Sequence, residues 1–355
     1  MRVTKYEIDM LDVEDADAFL IHFYDDNNTE YIVLVDAGRY KDGEKVANFI
    51  KNTYGAFHVD LAICTHCDDD HYGGLLWMAE DMINHPETSV DIREIWMNDP
   101  GRHCWANDFE RQISDARTKN KAREVYSLEN GKNFIETVDA LRRSGNANAG
   151  IKVREIFSDD PIGYTAFDGV IEVIGPSIKY YEDQVIKFRH SMKVNKTTPA
   201  ANDKDDDETV EIDNAGNIKS TTLDNATPDD SPHNLSSIIF LFKPITEKHY
   251  LFTGDAGEDS FKNLKYASDW EGLKNIYWIK LPHHGSKRNI SCAMINHFRP
   301  AVAYVTSKSY GTWLSKAVVN ALKQVNTRVY ATNINGAMLH NKIKDRDNYS
   351  PAEPL

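Results

Sequence analysis

A mixed α/β fold, in which β-sheets are covered by helices, is what this chain predicts, and three observations predict it. Apolar runs of strand length recur along most of the chain, several of them closed by Asp, Gly or Pro. Helix-like stretches alternate with them, in a β-β-β-α-β-loop-α order at the start and again over the last third. At 41% hydrophobic, a chain of 355 residues can bury a real core, and it has no apolar run of the roughly 18 residues that span a bilayer.

The first strands read as Tyr6–Leu11, Ala18–Tyr24 and Tyr31–Asp36, with the turn Asp25-Asp26-Asn27-Asn28 between the last two. The third runs into Asp36-Ala37-Gly38, and a buried strand ending this way suits a carboxylate that holds a neighbouring loop through hydrogen bonds. Residues 44–54 look helical. The apolar run 59–64 then feeds Thr65–Leu75, T-H-C-D-D-D-H-Y-G-G-L, which organises the chain. His66, Asp68, Asp70 and His71 put two imidazoles and two carboxylates into six positions. The spacing predicts a tight loop at a strand end, broken by Gly73-Gly74 before a helix over Leu75–Ile83. Side chains two apart, plus an adjacent pair, can point at neighbouring positions, so one loop can serve two metal ions. A solvated acidic turn is the plain alternative.

A strand over Ile92–Asn98 leads into 99–150, which reads as a helical cap with helices near 105–118 and 130–143. Its Arg111, Arg117, Lys119, Lys121, Arg123, Lys132, Arg142 and Arg143 are interleaved with acidic residues, so solvated helix faces explain them better than a basic lid. Strands return at Val153–Phe157 and Gly169–Ile174. Residues 183–232 are different material, with eleven Asp or Glu against six Lys or Arg around D-K-D-D-D-E. That composition predicts a flexible acidic insertion, with at most a hairpin over Thr209–Lys219. Beyond it, His233-Asn234-Leu235-Ser236-Ser237 precedes the strand Ile238–Phe242. The strand His249–Thr253 ends in Gly254-Asp255, and Ile276–Leu281 ends in Pro282-His283-His284-Gly285-Ser286. A strand over 301–306, a helix over 314–325 and a strand over 328–331 complete what reads as a single domain, 1–355.

The net charge of −14 disfavours a protein that grips nucleic acid along a broad surface. Among Cys64, Cys67, Cys104 and Cys292 only Cys64-Thr-His-Cys67 has a zinc-like spacing, and Cys64 is expected inside the strand. The N-terminal stretch lacks an apolar leader, so a reducing, cytoplasmic setting away from the membrane is the expectation.

A His or Asp after one strand is a weak signal. Three such loops, after strands that must converge, are hard to obtain by chance. Together with V-L-V-D-A-G, N-L-S-S, L-F-T-G-D, L-P-H-H-G-S-K and T-N-I-N-G-A in the same order, they make the chain resemble the metallo-β-lactamase fold hydrolases. The likeness is to the branch containing the hydrolase domain of ComEC-type competence proteins, where an Asp, here Asp68, replaces the second His of H-x-H-x-D-H. The resemblance implies an αββα four-layer sandwich of two mixed sheets flanked by helices. It implies two divalent metal ions, zinc or manganese, with His66 and Asp68 on one, Asp70 and His71 on the other, and Asp255 bridging. His284 would complete the second, being the His directly before Gly, with His283 behind it. Asp36 would be a structural carboxylate, and Asn234, or alternatively His233, would fall near a further ligand position. Asp70, Asp255 and His284 would then be catalytic.

Two such cations, about 3.5–4 Å apart, polarise a water and clamp attacking and leaving oxygens. Carboxylates in place of an imidazole shift preference toward manganese or iron. The expected activity is that of a phosphodiesterase or nuclease acting on a small phosphodiester or a nucleic acid, with Ser286, Lys287 and Tyr310 as candidate substrate contacts. The competing expectations are hydrolysis of a carboxylic ester, amide or thioester, or a metal-binding module of a larger assembly that docks a protein partner through 183–232. One departure bears on substrate: Thr312-Trp313-Leu314-Ser315 stands where competence-type domains carry histidines and prolines. The membrane channel of the competence proteins has no counterpart here, so a role in DNA uptake does not carry over.

Overall fold

The computed structural model describes residues 1–103, 122–161, 163–187, 210–265, 270, 273, 276–309, 313–346 and 351–355. Two seven-stranded sheets dominate it. In the first, the strands lie in the order Met338–His340, Val3–Met10, Phe19–Asp25, Glu30–Val35, Leu61–Ile63, Glu94–Trp96 and Lys152–Arg154. In the second the order is Arg328–Ala331, Val302–Val305, Ile276–Lys280, Lys248–Phe252, Ile239–Ile245, Ile171–Gly175 and Thr165–Ala166. Hairpins build one part of each sheet, and parallel crossovers build the part nearest the functional loops. Glu30–Val35, Leu61–Ile63 and Glu94–Trp96 run parallel, as do Lys248–Phe252, Ile276–Lys280, Val302–Val305 and Arg328–Ala331.

The period of two in these strands sorts their side chains into separate layers. Phe19, Ile21 and Phe23 face the second sheet, where they join Phe240, Phe252, Trp278 and Tyr304 in an inter-sheet core. The intervening Leu20 faces the other way, with Ile32 and Leu34, onto Met78, Met82, Phe134, Val138 and Leu141. On the far side of the second sheet, Leu241, Leu251 and Ile279 pack with Met294, Phe298, Val318 and Leu322. These three cores separate four layers, helix, sheet, sheet, helix, as the resemblance implies.

Several local expectations are corrected. Gly73 and Gly74 do not break the chain: the helix starts at Asp69 and runs through them to Asn84. A Cβ on Gly74 would sit 2.0 Å from the Ala37 carbonyl oxygen, and one on Gly73 2.5 Å from the Tyr40 nitrogen. The glycines are there because another backbone crosses the helix, and Gly74 N–H donates to Gly38 O at 2.9 Å across that contact. The run 59–64 is two short strands, His58–Val59 and Leu61–Ile63.

In the expected cap, 105–118 with Arg111, Arg117, Lys119 and Lys121 lies outside the described residues. The second helix, Ala122–Arg143, belongs to the outer layer, packing Phe134, Val138 and Leu141 on the first sheet's helix face. The acidic stretch also differs from expectation. Its D-K-D-D-D-E centre lies outside the described residues, but Ile178–Lys187 is helical, and from Val210 the chain is folded against the core. The hairpin Glu211–Ile212 with Ile218–Lys219 forms, and Val210, Ile218 and Leu223 are buried with the helices behind the second sheet. Asn296 clamps the hairpin by accepting from Ile218 N–H at 2.8 Å and donating to Ile218 O at 3.1 Å. A few well-placed apolar side chains anchor a segment that its average composition describes as unfoldable.

Candidate metal centre

The parallel strands bring their C-terminal ends to one edge of the sandwich, and the polar loops leave from there. Asp36 follows Val35, Thr65 and His66 follow the strand ending at Ile63, Asp255 follows the strand ending at Phe252, and His283-His284 follow Lys280. One hydrogen bond, Ile238 N–H to Thr65 O at 2.8 Å, stitches the loops of the two sheets together. Asp68 is the residue directly before the helix, so Asp70 and His71 lie in its first turn rather than on a free loop.

His66, His71 and Asp255 present donor atoms within 4.8 Å of one another, and so do Asp70, His71 and His284. His66 Nε2 is 3.9 Å from Asp68 Oδ2, His71 Nε2 is 3.4 Å from Asp255 Oδ1, and His284 Nε2 is 3.8 Å from Asp70 Oδ2. The Nε2 atoms of His66, His71 and His284 are buried and, among the described residues, have no hydrogen-bond partner. Buried polar atoms are nearly always paired, so three orphaned lone-pair positions facing carboxylates describe a cradle for cations. The donor set, imidazole nitrogen and carboxylate oxygen, suits a divalent metal.

The outer ring nitrogens explain why those lone pairs face inward. Asp36, at a left-handed φ of 53°, accepts from Thr65 N–H and Thr65 Oγ1 at 2.8 Å each, and its Oδ2 lies 2.9 Å from His71 Nδ1. A carboxylate only accepts, so His71 carries its hydrogen on Nδ1 and keeps Nε2 for the centre. His284 Nδ1 lies 2.9 Å from Thr306 Oγ1, whose hydroxyl donates to Asp17 Oδ1 at 2.5 Å.

The charge states follow from crowding. Burial alone would raise the Asp255 carboxyl, but the facing His71, His283 and Lys280 hold it well below the usual carboxylate range. Burial opposes charge on His71, yet Asp255 and Asp36 push its pKa well above the ordinary value. Burial, with His71 alongside, pushes His66 down. A divalent cation placed among these groups would meet the same negative charge that raises the His71 pKa, and would compete with its proton.

His283 sits differently from its neighbour, although both adopt left-handed backbone, φ 46° and 53°. Its Nδ1 faces Asn289 Oδ1 at 3.1 Å and Asp229 Oδ2 at 3.3 Å, and its Nε2 is 3.7 Å from Asp255 Oδ2. Asn234 is occupied behind it, donating to Asp229 Oδ2 at 2.7 Å. His233, by contrast, lines a small cavity together with His66, Asn98, Tyr181 and Ser236. Of the expected substrate contacts, Ser286 is buried with its Oγ accepting from Arg288 N–H at 3.2 Å, Lys287 is half-buried, and Tyr310 and Thr312 lie outside the described residues.

The sequence reading passed over Asp17, Arg39, Asp229, Lys280, Asn289 and Thr306. Asp17, Asp36 and His71 also come within 4.8 Å of one another, but Lys280 already supplies a cation to Asp17. Lys280 was the readable signal, as a charge inside the apolar run I-Y-W-I-K-L directly before the His pair.

Residues 11–155 match the family model of the metallo-beta-lactamase superfamily. That span holds most of the first sheet and the loop from His66 to His71, and the two-sheet architecture is that of the metallo-β-lactamase fold. Members of the superfamily are mostly metal-dependent hydrolases and typically bind divalent ions. The chain matches no curated protein. Among the described residues no helix is long and apolar enough to cross a membrane.

Proposed function

We propose that this protein is a dinuclear metal-dependent hydrolase of phosphodiesters, ComEC-like in its site and acting on a small substrate. The observation that carries the metal reading is the convergence of the three unpartnered Nε2 atoms of His66, His71 and His284 on the carboxylates of Asp70 and Asp255. His66 and Asp68 would hold one ion, Asp70, His71 and His284 the other, and Asp255 would lie between them. Bound divalent ions supply the Lewis acidity that makes water nucleophilic near neutral pH and stabilises charge on a departing oxygen.

The chain's own groups do the rest. Asp36 and Thr306 hold the imidazoles in one tautomer. Asp70, only partly buried, stands on the open side, where its carboxylate can orient a water. Arg39 lies beside it, with Nη2 3.8 Å from Asp70 Oδ2 and a third of its side chain exposed. A guanidinium at the mouth of an otherwise acidic site is the group type that pairs with a phosphate. The carboxylate-rich donor set favours manganese, and the charge of −14 favours a small diester over a long polyanion.

The test is hydrolysis of bis(p-nitrophenyl) phosphate against p-nitrophenyl acetate, with manganese and with zinc. Turnover of the diester, greatest with manganese and weakened through KM by Arg39→Ala, supports the reading. Turnover of the acetate alone overturns the phosphodiester part.

A further inference from the structure

Lys280 is only 1% exposed, and Asp17 likewise. Such a buried charge pair is seldom retained for stability, because desolvation offsets most of the attraction. Its connections suggest another use. Lys280 Nζ pairs with Asp17 Oδ2, donates to Gly254 O at 2.7 Å and lies 3.4 Å from Asp255 Oδ1. Asp17 enters from the other sheet, and its second oxygen accepts the Thr306 hydroxyl. Because that hydroxyl's hydrogen is committed to Asp17, its lone pair is left to accept from His284 Nδ1–H. The result is one continuous path from the Asp255 loop, through Lys280, Asp17 and Thr306, to the His284 ring.

We propose that Lys280, Asp17 and Thr306 form a positioning relay that sets Asp255 against His284 and fixes His284 in the tautomer whose Nε2 faces Asp70. This rests on the metal-ligand reading given above. None of the three touches substrate. Thr306 acts through His284, so its removal loosens the ion held by Asp70, His71 and His284 and leaves the one at His66 and Asp68 in place. Removal of Lys280 and Asp17, which reach Asp255 between the two ions, is felt at both.

The test uses the full chain and compares Thr306→Val, which keeps the shape and removes the hydroxyl, with Thr306→Ser, which restores it. Manganese affinity and stoichiometry are read by calorimetry and elemental analysis, beside the thermal midpoint without metal. Thr306→Val is expected to weaken one of two manganese sites about 10–100-fold, at an unchanged metal-free midpoint, and Thr306→Ser to recover it. Wild-type affinity in Thr306→Val overturns the relay, and so does a loss that Thr306→Ser fails to restore, since packing would then be the cause.

If Thr306→Val does not fold, the double variant Asp17→Asn with Lys280→Met takes its place. Retention of both sites at wild-type affinity there overturns the proposal, and weakening of one or both supports it. A wild-type chain that binds manganese but leaves the diester intact overturns the phosphodiesterase reading alone, because the affinity comparison still decides the relay.

Discussion

The indole of Trp313 lies over the imidazole of His283, with ring centroids 4.3 Å apart and planes inclined by 36°. Trp313 belongs to the Thr312–Ser315 stretch that departs from the competence-type pattern, so the departure has a physical role: an aromatic wall covers the one histidine of the pair that is held from behind by Asp229 and Asn289. Among the described residues His284 has no such cover, and its Nε2 is unpartnered.

The two histidines should therefore respond differently to truncation. His284→Ala is expected to remove one metal and nearly all turnover. His283→Ala should keep both metals and lose about 10–100-fold, as groups behind a ligand typically do. Metal content and rate of both variants under manganese check this, and loss of a metal from His283→Ala alone would reverse the assignment.

Chelation should lower thermal stability as well as abolish activity. Asp17, Asp36, Asp68, Asp70 and Asp255 crowd one edge of the sandwich with Lys280 as their buried cation. An ion at a hundred times its dissociation constant contributes about 2.7 kcal/mol of linkage stability. Melting curves with and without a chelator, and after adding manganese back, give the expected drop and recovery. Unchanged melting would mean that the cradle holds no cation.

Average composition suggests that residues 184–230 can be replaced by a short Gly-Ser linker at little cost. The structure reverses that expectation. Excision removes the buried Leu223, Ile218 and Val210, and with them Asp229, which accepts from both Asn234 and Asn289 at the site. A large fall in the melting temperature is expected. Leu223→Ala alone should cost about 2–5 kcal/mol, measured by chemical denaturation.

His340, packed against Tyr250, Trp278 and Tyr304, predicts an acid limb of the stability curve. Burial pushes its pKa down to about 4, with Arg328 and Lys248 adding to the effect. As pH falls, the unfolded chain takes up this proton first, near 6.5, and the folded chain only near 4. Stability from this group is thus complete above about 6.5 and declines as the pH drops toward 4, by at most on the order of 3 kcal/mol. His340→Gln should flatten the stability curve across that window relative to the wild type, and parallel curves would exclude His340 as the source.

The donor cluster was legible because its residues announce themselves within single loops: His66 to His71 span six positions, and Asp255 and His284 each end an apolar strand. That helices cover a mixed sheet was legible from the strand pattern for the same local reason, whereas the four layers were implied only by the family resemblance. What holds the donors in place was not, because it is assembled across distance. Thr306 and Asp17 meet from 289 positions apart, and neither stands in a motif. Gly73-Gly74 were visible but misread, since a pair of glycines looks the same whether it ends a helix or lets another chain segment cross it. Asp229 was lost in a stretch whose acidic average hid one carboxylate with a specific task.

The division of donors between sheets sets a condition on any fragment of this molecule. His66, Asp68, Asp70 and His71 come with residues 11–155, while Asp255 and His284 arrive on strands of the second sheet. A cation held by both groups would act as a rivet driven through a joint, and the joint itself is the apolar seam where Phe19 meets Phe252 with centroids 5.9 Å apart. The first half alone would offer a one-sided grip. Loosening the seam, even with every ligand intact, would be felt as lost metal, so ion affinity would gauge how firmly the two halves are closed.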